Sequence, residues 1–186
     1  RQRQMCIRDS DIVVDSKVSF YALCALMFSV GLSVGNDPQT LKNFRSLNPR
    51  LIFLPIMTIL GTLAGSAAVS LILTHRSLTD CLAVGSGFGY YSLSSIFITE
   101  YKGAELGTIA LLANISREIL TLLAAPLLVR WFGNLAPISA GGATTMDTTL
   151  PIITRTAGQQ FVVVSIFHGF VVDFSVPFLV TLFCSI

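Results

Sequence analysis

Residues 138–158 read ISAGGATTMDTTLPIITRTAG. Paired glycines, six threonines, an aspartate, a proline and an arginine sit there inside a chain otherwise apolar enough for lipid. Hydrocarbon offers no partner to a backbone N–H or C=O released from a helix, and a carboxylate such as Asp147 must face protein or water. The stretch therefore reads as a broken membrane helix lining a solute path. Gly141 and Gly142 relax the helix, Thr144, Thr145, Thr148 and Thr149 supply hydroxyls, and Pro151 withdraws a backbone donor. A polar surface loop is the alternative, since Gly, Thr and Pro also mark loops. Arg155 sits at the interface on either reading.

The surrounding composition is that of a membrane protein. Of 186 residues, 53% are hydrophobic and 12% charged, and the mean hydropathy is +0.74. A spanning helix needs about 20 mostly apolar residues. Segments 18–35, 51–74, 81–99, 107–129, 138–158 and 160–184 give about six membrane segments in an all-α polytopic fold, one or two of them discontinuous. The net charge of +2 gives no sign of a nucleic-acid partner, and no cofactor motif stands out. Cys6, Cys24, Cys81 and Cys184 lie far apart without ligand-like spacing, which favours buried thiols over disulfides or metal ligands. Residues 1–10, RQRQMCIRDS, fit neither a signal peptide nor a span and look like translated adaptor sequence. The membrane domain is expected over 11–186, as a portion of a longer chain.

Residues 81–99 form a second interrupted stretch. Gly85, Gly87 and Gly89 could turn backbone groups toward a cavity, with Ser86, Ser92, Ser94 and Ser95 adding hydroxyls and Tyr90 and Tyr91 a polar-tipped aromatic wall. Tight helix crossing over glycine is the plainer reading. A dinucleotide-binding fingerprint fails, because Tyr90 stands where its third glycine belongs. In 107–129, Asn114, Arg117 and Glu118 share one helix face. A charge near the bilayer centre costs about 2.5–3.5 kcal/mol, so that face turns inward, and Arg117 and Glu118 are expected to pair with each other or with Asp147. A structural ion pair would meet the same need. His168 and Ser165 can face one cavity, although a lone His on an apolar helix is commonly a hydrogen-bonded packing residue. Asp173 lies about 140° around the helix from His168, which argues against a His–Asp dyad. If every segment crosses once, Lys42, Arg45, Arg50, Lys102 and Arg155 fall inside, and Lys17, Arg76 and Arg130 outside, a scheme that a re-entrant excursion at either glycine-rich stretch would overturn.

Four motifs taken together, SGFGYYSLSSIFITE, NISREILTLLAAPLLVR, GGATTMDTTLPIITRTAG and FHGFVVDFSVP, resemble the LysO family of prokaryotic L-lysine exporters. The resemblance runs from about Ser19 to the end of the chain. It implies a multi-pass inner-membrane carrier that exports L-lysine and toxic analogues such as thialysine, built like one half of an inverted-repeat transporter with broken helices. It also implies a longer family chain, with further helices and another acidic motif before this segment. Carried onto this sequence, it makes Asp147 the acid of a G-A-T-S-M-D-type motif, with Thr145 in place of serine. It supports Gly87, Gly89, Tyr91, Ser92, Glu100, Arg117, Glu118, Pro151, Arg155, His168 and Gly169 as pattern positions, and calls for no acid at Asp173.

The expected substrate and ion site comprises Asp147, Arg117, Glu118, Asn114, Thr144, Thr145, Ser92, Tyr91 and His168. Asp147 would meet an ammonium, Arg117 the carboxylate, and Glu118 or His168 a coupling proton. Two other classes stay open. A cation/proton antiporter would suit the same buried acid. An intramembrane serine protease would use Ser86 and His168, but Val84 stands where that class wants glycine.

Overall fold

The computed structural model describes residues 49–186, Thr74 excepted, together with Ala25, which is helical. The first expected segment, 18–35, and the tail 1–10 otherwise lie outside the described residues, as do Cys6, Cys24, Lys17, Lys42 and Arg45. In order come α1 (Pro49–Ile52), α2 (Leu54–Ile72), α3 (Leu78–Gly85), α4 (Tyr91–Lys102) and α5 (Ala104–Phe132). Then follow α6 (Ala136–Gly141), a 3₁₀ turn (Gly142–Met146), α7 (Leu150–Ala157), a second 3₁₀ turn (Gln159–Phe161) and α8 (Val162–Ser185). The described residues contain no strand.

Three helices are long and apolar enough to cross a membrane: Leu54–Ile72, Ala104–Phe132 and Gln159–Ser185, the last including the 3₁₀ turn. Their large side chains point outward, as Leu71, Leu123 and Phe178 do, while Thr58, Asn114, Thr121, Ser165, His168 and Asp173 are buried. Apolar outside and polar inside is the arrangement that lipid favours for helices enclosing a polar centre. Small residues permit the close contacts. A Cβ on Gly107 would lie 1.8 Å from Thr99 Oγ1, and one on Gly85 would lie 1.9 Å from Ser66 Oγ. Those contacts pack α4 antiparallel to α5, and α3 against α2.

The two interrupted stretches are indeed broken, but their ends correct the single-crossing scheme. Arg76 pairs with Glu105, and Lys102 Nζ lies 3.7 Å from Asp80 Oδ1. The start of α3 and the finish of α4 therefore share one end of the bundle, here the Arg76 end. At the opposite, Arg130 end, Ile138 of α6 and Ile153 and Ala157 of α7 join one buried cluster with Val164, and Leu54, Val129 and Leu135 pack on it. Each stretch enters and leaves on the same side. Arg76 and Lys102, expected on opposite faces, sit together. The reason is reach: α3 has 8 residues and α4 has 12. At about 1.5 Å per residue neither spans a bilayer, and the ion pairs bring both ends back to one surface.

Candidate functional site

The excursions meet tip to tip. The first tip is Ser86–Tyr90, where Phe88 is fully buried with φ +46° and Gly89 has φ +95°. A bulky residue in that region costs roughly 1–3 kcal/mol, so the surroundings must hold it. Asn114 does much of the holding. Its Oδ1 accepts from the Gly89 N–H at 2.8 Å, while Nδ2 donates to Ala110 O at 2.8 Å and, at 3.4 Å, to Val84 O and Ser94 Oγ. One amide thus stitches α3, the tip, α4 and α5 together.

The second tip is the 3₁₀ turn Gly142–Met146, whose Ala143 N–H donates to Phe88 O at 2.9 Å. Gly142, at φ +64°, admits no side chain, because a Cβ would lie 2.2 Å from Phe88 O. Arg117 secures the helix leading into this tip. Its Nε donates to Ala140 O at 2.8 Å and Nη2 to Ser139 O at 3.1 Å, while Nη1 reaches Thr62 Oγ1 at 3.4 Å. Its guanidinium carbon stands 5.9 Å from the Phe88 ring centre. A cation against the last carbonyls of α6 answers the charge that a helix C-terminus presents. The expected ion pairs of Arg117 with Glu118 and Asp147 are therefore replaced by backbone carbonyls. Glu118 is half-buried and makes no hydrogen bond or ion pair among the described residues.

Thr145 and His168 close the other side. Thr145 Oγ1 lies 2.8 Å from Gly142 O, 2.9 Å from Ser165 O and 3.2 Å from His168 Nδ1. His168 Nε2 meets Thr58 Oγ1 at 2.9 Å. The carbonyls claim the Thr145 proton, so Nδ1–H donates to that hydroxyl and Nε2 accepts from Thr58, a neutral ring with both nitrogens engaged. Gly169 lets α8 press on the turn, since a Cβ there would lie 2.7 Å from Met146 N. Thr144 Oγ1 donates to Gly141 O at 3.0 Å and lies 3.3 Å from Thr149 Oγ1. Asp147 follows the turn with its side chain exposed, and its Oδ1 accepts from the Thr148 N–H at 2.6 Å.

Asn114, Arg117, Thr144, Thr145 and His168 thus gather around the two tips, and Asp147 leaves the second. Tyr91 and Ser92 lie on the exposed side of α4, away from this junction. Ser86 Oγ donates to Ala83 O at 2.8 Å, so the Ser86–His168 pair a serine protease needs is not joined. Sequence reasoning passed over Thr58, Thr62 and Phe88. The first two looked like ordinary residues of an apolar span, and nothing marked Phe88 except glycines on both sides. Cys81 and Cys184 are free thiols. A mostly apolar groove of about 810 Å³ between α2, α3 and α5 runs from Arg76 and Asp80 to Thr62, Asn114 and Arg117. A smaller cavity of about 440 Å³, bordered by Thr121 and Ala140, also reaches Arg117.

The family described as "Lysine exporter LysO" matches residues 4–184. The lysine exporter LysO of Escherichia coli strain K12 is 36% identical over 170 residues, covering 91% of this chain and 56% of that protein. A putative lysine exporter of Haemophilus influenzae is 35% identical over 167 residues, covering 90% of this chain and 84% of that protein. The chain therefore spans just over half the length of the first relative. No solved structure matches it.

Proposed function

Because this chain belongs to the LysO lysine exporter family, we propose that it carries out the export of L-lysine across the cytoplasmic membrane. The observation that carries the reading is the tip-to-tip junction. Two broken helices enter from opposite ends and meet at Phe88 and Ala143 among buried polar side chains, in a bundle whose exterior is apolar. Irregular backbone at membrane depth is tolerated where it lines a polar path. Tips from opposite faces also support reading the two halves as an inverted pair that rocks between inward and outward access.

The solute fits the groups at hand. Lysine carries two ammonium groups and one carboxylate. Asp147, exposed at the mouth of the second tip, takes the side-chain ammonium. Arg117, which borders the groove, takes the carboxylate through Nη1, whose contact with Thr62 is the longest the guanidinium makes. Thialysine keeps all three charges, so it should travel by the same path. His168 pins the junction. Glu118, which is unpaired among the described residues, is the group we assign to a coupling proton. The full-length protein with Asp147→Asn is expected to insert normally and to lose lysine efflux from loaded cells or vesicles. Undiminished export by that variant would remove Asp147 from the mechanism.

A further inference from the structure

Asp173 lies near the middle of α8, is 5% exposed, and makes no hydrogen bond or ion pair among the described residues. A carboxylate so placed is costly unless something positive comes to it. Its position says where that would happen. Ser165, His168, Gly169 and Asp173 share the buried face of α8, and the first three touch the second tip at Thr145 and Met146. Asp173 is one turn beyond Gly169, as Asp147 is one residue beyond Met146. α8 packs both on the 3₁₀ turn that Asp147 follows and on α4, whose N-cap is the half-buried Tyr90 at the foot of the first tip.

A second observation involves the backbone. Pro177 lies inside α8 and has no N–H to give to the carbonyl of Asp173, four residues back. Asp173 therefore offers two acceptors at one depth, a carboxylate and a carbonyl released from the helix ladder. Carboxylates, a freed carbonyl and a phenol form an all-oxygen set suited to a monovalent, hydrogen-bonding cation. Among the described residues no group of three His, Cys, Asp or Glu could hold a metal ion.

We propose that Asp173 is a second acid of the solute site, closing with Asp147 and the Tyr90 hydroxyl around the side-chain ammonium of a basic amino acid. This rests on the export reading and adds to it a residue that the resemblance leaves out.

The test is binding to purified full-length protein of L-lysine and of L-norleucine, which ends in a methyl group where lysine carries its ammonium. Asp173→Asn is expected to weaken lysine about tenfold and leave norleucine unchanged, and Asp173→Glu to recover most of the difference. Lysine bound by Asp173→Asn as tightly as by the wild type would overturn the proposal, as would an equal loss for both ligands, the mark of a packing role. If Asp173→Asn fails to insert, Tyr90→Phe decides, with lysine weakened about threefold relative to norleucine and no change counting against the proposal. A wild type that binds no lysine brings down the export reading together with this proposal, whereas a lysine-binding wild type with an indifferent Asp173→Asn brings down the proposal alone.

Discussion

The two tips solve one problem in different ways. The first, Ser86–Tyr90, is held chiefly by a single neutral side chain, Asn114, which meets α3, the tip and α4 at once. The second, Gly142–Met146, is held by a charge on the helix that leads into it, Arg117, and by the Thr145–His168–Thr58 relay on its far side. Ser86, Gly87, Phe88 and Gly89 of the first tip are buried. The second ends in an exposed carboxylate. On the proposed export reading one interruption is scaffold and the other the working edge, although their sequences look equally glycine-rich and hydroxylated.

The largest effect should fall where the tips touch. Gly142→Val brings a side chain onto Phe88 O and into a left-handed backbone, and is expected to cost about 3 kcal/mol. Thermal unfolding in detergent would register it, and wild-type stability would mean that the tips are not in contact. Next comes the working edge. Asp147→Asn should lower export at least about tenfold with unchanged unfolding, the loss of one charge-assisted interaction. Scaffold behaviour is the third. Asn114→Leu leaves the Gly89 N–H without its partner and should cost about 2 kcal/mol, with faster hydrogen exchange at residues 86–90 than at 142–146. Equal acceleration at both tips would erase the distinction drawn between them. The smallest effect is expected at His168. His168→Gln can keep one threonine contact, and should cost about 1 kcal/mol while leaving export within about twofold of wild type. Loss of export at normal stability would restore His168 as a proton carrier.

Much of this was legible in the chain. Glycine, threonine and proline inside lipid-grade sequence marked both breaks, and the i, i+3 spacing of Asn114 and Arg117 put them together on the inward face. Re-entry stood only as the alternative to single crossing, and the sequence did not decide between them. A hairpin and a crossing have the same local composition, and the choice rests on pairs such as Arg76–Glu105, 29 residues apart. The partners of Arg117 were equally hidden, because they are the carbonyls of Ser139 and Ala140, and a backbone atom leaves no letter in a sequence. Tyr91 and Ser92 look as well qualified for the site as Ser94, yet helix phase turns them outward and Ser94 in. Asp173 was set aside because the resemblance calls for no acid there, yet it shares the buried face of α8 with Ser165, His168 and Gly169.

The hydrogen bond from the Ala143 amide to the Phe88 carbonyl ties two segments that are anchored at opposite surfaces. Neither can tilt by itself without breaking that link or dragging its counterpart along. If the bundle rocks as proposed, this link works like meshed gears, so that movement begun at one surface is felt at the other in the same step.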